Sequence, residues 1–159
     1  GLISYPRTSS QQLPEQLGYK KLLQALEKNP EYKELARRLL AKGALKPNNG
    51  KKTDPAHPAI FPTGQRAHLD GQKSRLYDLI VKRFLATFSE PATRETNSMD
   101  IDVNKEIFVA KGTRTIKLGW HEFYTPYVKL EELEMPLVSK GDSVKVKEIV
   151  KHDMMTQPP

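Results

Sequence analysis

Hydrophobic residues recur with the 3.6-residue period of an α-helix in three stretches of the first half of the chain. They predict helices over residues 19–28, from Pro30 to Lys42 with Gly43 as the capping residue, and over about 72–88. The third helix has the widest apolar face and should form the core of this half. That face consists of Leu76, Tyr77, Ile80, Val81, Phe84, Leu85 and Phe88.

The second half shows the two-residue alternation of β-strands instead. Hydrophobic residues alternate with Asp100 and Asp102, the pair Asn104-Lys105 can turn the chain, and apolar residues return over 107–111. This pattern predicts a β-hairpin with the two aspartates on its solvated face. After a turn at 140–142, Val144 and Val146 alternate with lysines and predict another strand.

These patterns together predict an α+β fold. We expect a helical domain over residues 1–89 and part of an antiparallel β-rich domain over residues 90–159, without a notable helix in the second. Residues 44–69 separate the second and third helices and are too rich in proline for helix or central strand. A loop of this length is more often functional or disordered than purely structural.

Charge is unevenly distributed along the chain. Residues 1–53 contain 11 lysines and arginines against 4 acidic residues, whereas residues 54–159 contain 15 of each, so the net charge of +7 comes from the first stretch. Clustered cations attract a polyanion, which favours a nucleic-acid partner. The chain has no cysteine, which excludes disulfides and a zinc ribbon within it, and it has no apolar run long enough to span a bilayer.

Residues 3–10 include candidate catalytic side chains. Their order is Ile-Ser-Tyr-Pro-Arg-Thr-Ser-Ser. A tyrosine hydroxyl has an ordinary pKa of about 10, so it needs a partner that stabilises the phenolate before it can attack a phosphate. Pro6 favours an extended conformation at Tyr5, and residues two apart in an extended stretch point the same way. Tyr5 and Arg7 should therefore face one site, where the guanidinium can grip a phosphate and neighbouring hydroxyls can donate hydrogen bonds.

His57 is the second candidate, in the segment Ala-His-Pro-Ala-Ile-Phe-Pro-Thr over residues 56–63. A histidine in such a loop can donate a hydrogen bond to a non-bridging oxygen of a phosphate. Taken alone, either segment also fits a solvated, proline-containing turn.

Together, these two segments resemble the nucleophile segment and the downstream histidine segment of type IA DNA topoisomerases. The resemblance implies that Tyr5 becomes joined to the 5′ phosphate of a cut DNA strand, with Arg7 and His57 as catalytic partners. It implies DNA contacts from Arg7, Thr8, Ser10, His57 and Thr63. Many bacterial members carry arginine where this chain has Phe61, so the chain is more similar to the archaeal branch.

The resemblance extends over nearly the whole chain. Residues 108–112, 119–120 and 156–159 are similar to the β-rich arch domain that follows the tyrosine domain in this family. Since type IA enzymes are several times longer, we expect a central piece of a larger enzyme, inactive when isolated. The resemblance also leaves open whether that parent is a topoisomerase I or a reverse gyrase.

The family also implies the partners and cofactor of the parent. Its Mg²⁺ carboxylates lie in a separate N-terminal domain, so no metal ligand and no cofactor is expected in this chain. The expected partners are single-stranded DNA and the remaining domains of the parent, with no membrane. The expected location is cytoplasmic and associated with the nucleoid.

Two other classes of enzyme also attack a phosphate with a tyrosine. A tyrosine recombinase needs two arginines and a histidine around a C-terminal tyrosine, and a rolling-circle nuclease needs a pair of metal-binding histidines. Neither set is present. The alternative that stays open is a non-catalytic module that binds single-stranded nucleic acid, for which aromatic residues interleaved with basic ones are typical.

Overall fold

The computed structural model of this chain describes residues 1–156. Within those residues, three α-helices precede a two-stranded antiparallel sheet and a fourth, very short α-helix follows it. The predicted α+β class is confirmed. Gln157, Pro158 and Pro159, which were part of the resemblance to the arch domain, lie outside the described residues.

Two short helices open the fold, after one turn of 3-10 helix at Glu15–Leu17 that the sequence did not indicate. The first, α1, covers Tyr19–Glu27, and the second, α2, covers Lys33–Leu40. Both were predicted, but the predicted range of α2 was too long at each end. Pro30 lies in the turn that precedes α2, and Lys42 lies beyond its end.

The third helix, α3, covers Gly71–Thr87, close to the predicted range. Its carboxyl-terminal half provides the buried residues, among them Val81, Phe84 and Leu85. The predicted apolar face was too wide, because Leu76 near the amino-terminal end is 57% exposed.

One hydrophobic core is built from these helices and the segments beside them. Phe88, just after α3, contacts both Tyr19 and Phe84, with ring centroids 5.0 and 5.1 Å apart. Phe88 therefore joins α1 to the carboxyl-terminal end of α3. The core residues are Leu13, Tyr19, Leu23, Leu26, Tyr32, Ala36, Leu39, Val81, Phe84, Leu85, Ala86, Phe88 and Phe123.

The hairpin predicted in the second half is confirmed and is longer than expected. Strand β1 covers Thr93–Val103 and strand β2 covers Glu106–Lys117. Asn104 and Lys105 form the turn with φ values of 54° and 72°, and a two-residue turn with both φ values positive matches the twist of the strands. The Asp102 carboxylate accepts a hydrogen bond from the Lys105 amide at 2.8 Å and helps to hold that turn.

A single helical turn, α4, follows the hairpin at His121–Tyr124. It is fixed by polar contacts with the earlier helices, including an ion pair between Arg38 and Glu122 at 2.6 Å. Just beyond α4, the Tyr127 hydroxyl donates to the Asp78 carboxylate at 2.7 Å. Burial and this hydrogen bond raise the pKa of Tyr127 to about 12.

The chain forms two compact units. The first contains Gly1–Glu95 and Thr115–Glu131, and the second contains Thr96–Arg114 and the described residues from Glu132 onward. All the buried hydrophobic residues described belong to the first unit. The expected domain boundary between residues 89 and 90 stays a prediction.

The second unit also contains the part of the sequence prediction that was wrong. The turn at 140–142 is present, and there the Asp142 carboxylate accepts a hydrogen bond from the Ser139 amide at 2.8 Å. The strand predicted after it is absent, and Val144 and Val146 are exposed. A strand needs a neighbouring strand for its backbone hydrogen bonds, and no described segment pairs with this one.

Candidate active site

The segment that carries Tyr5 lies antiparallel to the segment that follows His57. Ile3 and Pro62 form an isolated antiparallel bridge. Beside it, the Ser4 amide donates to the Phe61 carbonyl at 2.9 Å, and the Phe61 amide donates back to the Ser4 hydroxyl at 3.0 Å. These contacts hold together two segments that are more than fifty positions apart in the sequence.

A second set of hydrogen bonds joins the other end of the tyrosine segment to the same long loop. The Gln11 amide donates to the Lys52 carbonyl at 2.8 Å, and the Gly50 amide donates to the Gln11 carbonyl at 3.0 Å. A side chain at Gly50 would collide with that of Gln11, so the close approach requires glycine. The Ala59 amide donates to the Gln12 carbonyl at 2.9 Å.

The two motifs meet at the rings of Tyr5 and His57. Their centroids are 4.5 Å apart and their planes are inclined by 36°. Tyr5 is 54% exposed, whereas His57 is partly buried. An accessible tyrosine with a histidine against its ring combines a nucleophile and a hydrogen-bond donor within one small surface.

Asp54 holds the two segments together next to this ring pair. One carboxylate oxygen accepts hydrogen bonds from the amides of Ala56 and His57, at 2.9 and 3.1 Å. The other accepts from the amide and the hydroxyl of Ser9, at 3.3 and 3.2 Å. The amide of Ala56, then those of Ser9 and His57, lower the pKa of Asp54 because they favour the ionised carboxylate.

Asp54 was missed by the sequence analysis, which treated the residues before His57 only as proline-rich loop. A signal was available, since an aspartate directly before a proline often starts a turn by accepting hydrogen bonds from amides two or three residues later. That signal predicts the bonds to Ala56 and His57. It does not predict Ser9, which lies 45 positions earlier.

Arg7 is exposed and makes no hydrogen bond or ion pair with the residues that the structure describes. The backbone bends at Ser4 and Pro6, so the straight extended stretch expected around Tyr5 is not formed. The inference that Tyr5 and Arg7 point the same way therefore loses its geometric basis, while the catalytic role of Arg7 stays a prediction.

The hydroxyl groups predicted to contact DNA are partly engaged within the protein. Thr8 donates to the His57 carbonyl at 3.1 Å, and Thr63 donates to the Gly1 carbonyl at 2.7 Å. The hydroxyl of Ser10 accepts a hydrogen bond from the Gln12 amide at 3.1 Å, which leaves its own hydrogen available. Thr8 and Thr63 thus have a structural role here, and their contacts to DNA stay predictions, as does that of Ser10.

Neither a metal cluster nor a membrane span is found in the described part of the chain. No group of three or more histidine, aspartate or glutamate side chains there is arranged to hold a metal ion. Asp100 and Asp102 are both exposed on the hairpin. No helix among residues 1–156 is both long and apolar enough to cross a bilayer.

The fold and the ring pair define a class of α+β proteins in which a helical unit holds an exposed tyrosine beside a loop histidine. A family model described as DNA topoisomerase matches residues 1–159. The chain therefore belongs to the DNA topoisomerase family, and the resemblance to type IA enzymes is confirmed.

Its relatives include enzymes from archaea and from humans. The chain is 46% identical over 159 residues to DNA topoisomerase 1 of Pyrococcus furiosus, covering 98% of the chain and 15% of that protein. It is 45% identical over 160 residues to DNA topoisomerase 1 of Methanothermobacter thermautotrophicus, covering 100% and 22%. It is 33% identical over 159 residues to human DNA topoisomerase 3-alpha, covering 100% and 16%. The chain thus spans less than a quarter of the length of these relatives.

Proposed function

We propose that the chain is the tyrosine-bearing part of a type IA DNA topoisomerase, which cleaves and reseals one strand of DNA. The observation that carries the proposal is the contact between the rings of Tyr5 and His57, at 4.5 Å on an accessible surface. Membership of the DNA topoisomerase family supplies the substrate. The proposed catalytic residues are Tyr5, Arg7 and His57.

The reaction exchanges one phosphoester for another. The Tyr5 oxygen forms a bond to phosphorus as the bond from phosphorus to the 3′ oxygen breaks. The phenolic proton is lost and the 3′ oxygen gains a proton, which leaves a 3′ hydroxyl and a 5′ phosphate joined to Tyr5. The reverse reaction reseals the strand. Because the number of phosphoester bonds does not change, the reaction needs no ATP.

His57 and Arg7 are proposed to act on the charge that develops during this exchange. His57 lies against the Tyr5 ring, which supports its proposed role as a hydrogen-bond donor to a non-bridging oxygen of the phosphate. Arg7, exposed and without an internal partner among the described residues, is available to pair with the same phosphate. Phe61 supplies no charge, so any third cation comes from another residue.

The other parts of the reaction are assigned to the remainder of the parent enzyme. We propose that a second strand passes through the break while the parent holds the cut ends, which relaxes supercoils. The side chains described do not form an acidic cluster that fits Mg²⁺. We expect the isolated chain to be inactive, because the proposed reaction also needs the other domains of the parent.

The test is the substitution Tyr5→Phe in the full-length parent, with covalent protein–DNA adducts detected on a denaturing gel. Tyr5→Phe should abolish the adduct and leave DNA binding nearly unchanged. Tyr124→Phe is the matched control, because Tyr124 is partly buried against Trp120 in the same unit and its ring is kept. An adduct that survives Tyr5→Phe would overturn the assignment.

The same experiment tests the alternative, a module that only binds single-stranded nucleic acid. The net charge of +7 over residues 1–53 favours binding with or without chemistry. A wild-type parent that binds DNA and never forms an adduct would identify the alternative as correct.

A further inference from the structure

Asp54 is placed to do more than shape its own loop. Its carboxylate is shared between two segments, with one oxygen turned toward Ala56 and His57 and the other toward Ser9. Ser9 lies four positions after Tyr5, and His57 is the residue whose ring contacts Tyr5. Asp54 is therefore bonded to His57 itself and, through Ser9, to the segment that carries Tyr5.

The bonds divide cleanly between the two oxygens. The oxygen that accepts from Ala56 and His57 makes a local turn, as aspartates before proline commonly do. The oxygen that accepts from the amide and hydroxyl of Ser9 spans 45 positions and contributes nothing to that turn. A residue needed only for the turn would not require the second oxygen.

Few other hydrogen bonds join the tyrosine segment to the histidine loop near Asp54. The Thr8 hydroxyl donates to the His57 carbonyl at 3.1 Å, which supports the same junction from the tyrosine segment. The bonds between Ser4 and Phe61 lie on the far side of Tyr5. Between Tyr5 and Gln11, the two bonds from Ser9 to Asp54 and the one from Thr8 to His57 join the two segments, among the residues described.

We propose that Asp54 is a positioning residue, whose carboxylate fixes the nucleophile segment against the histidine loop and thereby sets the contact between the Tyr5 and His57 rings. This inference rests on the proposed function, since it assigns Asp54 to the same reaction. Asp54 would act through Ser9 and His57, without touching the substrate. Misplacing a catalytic group by about 1 Å can slow a reaction by about 100-fold, so such a clamp affects rate more than binding.

The substitution Asp54→Asn separates the two roles of the carboxylate. The remaining carbonyl oxygen can still accept from Ala56 and His57 and keep the turn. The amide group that replaces the other oxygen faces the Ser9 amide, so two donors oppose each other. The link between the segments is then weakened to the one bond that the Ser9 hydroxyl can still accept. The variant Asp70→Asn is the matched control, because it removes the same charge from an exposed residue whose side chain makes no capping bond.

The first measurement uses the 159-residue chain itself and needs no activity. Nuclear Overhauser effects between the ring protons of Tyr5 and His57 report their contact at constant pH. Asp54→Asn should weaken or abolish these cross-peaks, and Asp70→Asn should preserve them. Cross-peaks of wild-type intensity in Asp54→Asn would overturn the proposal and leave Asp54 as a turn residue only.

The second measurement uses the full-length parent and separates rate from affinity. Asp54→Asn should lower the single-turnover cleavage rate by about 10- to 100-fold and leave oligonucleotide affinity within about twofold. A wild-type cleavage rate in Asp54→Asn would also overturn the proposal. If the wild-type parent never cleaves DNA, the proposed function fails, while the ring cross-peaks still decide whether Asp54 positions the two rings.

A milder variant protects the test against a general loss of structure. Ser9→Ala removes only the hydroxyl bond at 3.2 Å and keeps the amide bond to the same oxygen. It should weaken the Tyr5–His57 cross-peaks less than Asp54→Asn does, with an unchanged melting temperature. If Asp54→Asn unfolds the chain and Ser9→Ala has no effect on the cross-peaks, the positioning role is rejected.

Discussion

At the scale of single residues, the site combines one exposed tyrosine with partners that come from a distant part of the chain. A tyrosine hydroxyl is in general a weak nucleophile at neutral pH and needs a partner that activates it. No acidic or basic side chain among the described residues makes a hydrogen bond or ion pair with the Tyr5 hydroxyl. In the proposed reaction, Tyr5 is therefore activated by groups that act on the phosphate or belong to the rest of the parent. Within this chain, the proposed groups are His57 and Arg7.

We predict that Arg7→Ala and His57→Ala in the parent each slow cleavage by about 10²–10³-fold with a modest loss of affinity. The reason is that each removes one preorganised donor to a phosphate whose charge rises in the transition state. Single-turnover cleavage and oligonucleotide binding, measured on the same preparations, separate the two effects.

Arg66→Ala and His68→Ala are matched controls for this pair. Both residues are exposed, belong to the same long connection, and make no hydrogen bond or ion pair among the residues described. Equal cleavage rates in His57→Ala and His68→Ala would mean that His57 is a loop histidine without a role in cleavage.

At the scale of elements, the helices owe their positions to burial rather than to caps. None of α1, α2 and α3 has a side-chain hydrogen bond at its amino-terminal cap. Each presents a few fully buried side chains to a shared core, such as Leu23, Leu39 and Leu85. The core also anchors the segment that carries Tyr5, since Leu13 at the end of that segment is buried in it.

We predict that two leucines of α3, both assigned to the core by helical periodicity, differ sharply in their effect on stability. Leu85 is fully buried and Leu76 is 57% exposed. Leu85→Ala should lower the free energy of unfolding by about 2–5 kcal/mol, because it leaves a cavity. Leu76→Ala should change it by about 0.5 kcal/mol or less.

Denaturant unfolding of the two variants and the wild type, followed by circular dichroism at 222 nm, measures these differences. Each substitution removes the same atoms from the same helix, so helix propensity cancels in the comparison. Equal destabilisation by both would show that the amino-terminal half of α3 is also packed in solution.

Sequence periodicity predicted the elements that are amphipathic over their own length. The three longer helices and the hairpin were predicted because their spacing alone reveals which face is buried. The 3-10 turn at Glu15–Leu17 and the four-residue α4 were missed, since so short a helix is stabilised by contacts outside it. The strand at Val144 and Val146 was predicted from alternation and is absent, because alternation does not supply a neighbouring strand.

The site was only partly accessible to the same reasoning. Nothing in the spacing of the sequence places His57 against Tyr5, and their pairing was expected only from the family resemblance. Asp54 was missed because its informative bond, to Ser9, crosses from one segment to another. The bends at Ser4 and Pro6 show that a proline fixes its own φ without making its neighbours straight.

At the scale of the whole molecule, apolar burial and positive charge are both concentrated in the first part of the chain. The buried hydrophobic residues described lie in the first unit, and the net charge of +7 comes from residues 1–53. The second unit exposes Leu137, Ile149 and Met154 almost completely. The unit that contains the buried core therefore also contains the cationic stretch and Tyr5.

The cations of this part are not equally available to a polyanion. Arg38 pairs with Glu122 at 2.6 Å and Lys42 pairs with Glu90 at 2.7 Å, which lowers their availability. Lys20 and Lys21, on the exposed face of α1, have no ion pair among the residues described. If DNA binds where positive charge is exposed and unpaired, these two lysines are the better candidates for phosphate contacts.

We predict that the isolated chain binds a single-stranded oligonucleotide weakly, that its affinity falls steeply with salt, and that it does not cleave the strand. Each phosphate neutralised should contribute about 0.7 to the slope of log affinity against log salt. The double variant Lys20→Ala/Lys21→Ala should lower that slope, whereas Lys145→Ala/Lys147→Ala removes the same charge from exposed positions of the second unit and should leave it unchanged.

A salt titration with magnesium present, with a denaturing gel run on the same samples, measures slope and cleavage together. Equal slopes for the two double variants would mean that binding follows net charge rather than the α1 surface, and a protein-linked strand on the gel would mean that the chain holds a complete active site by itself.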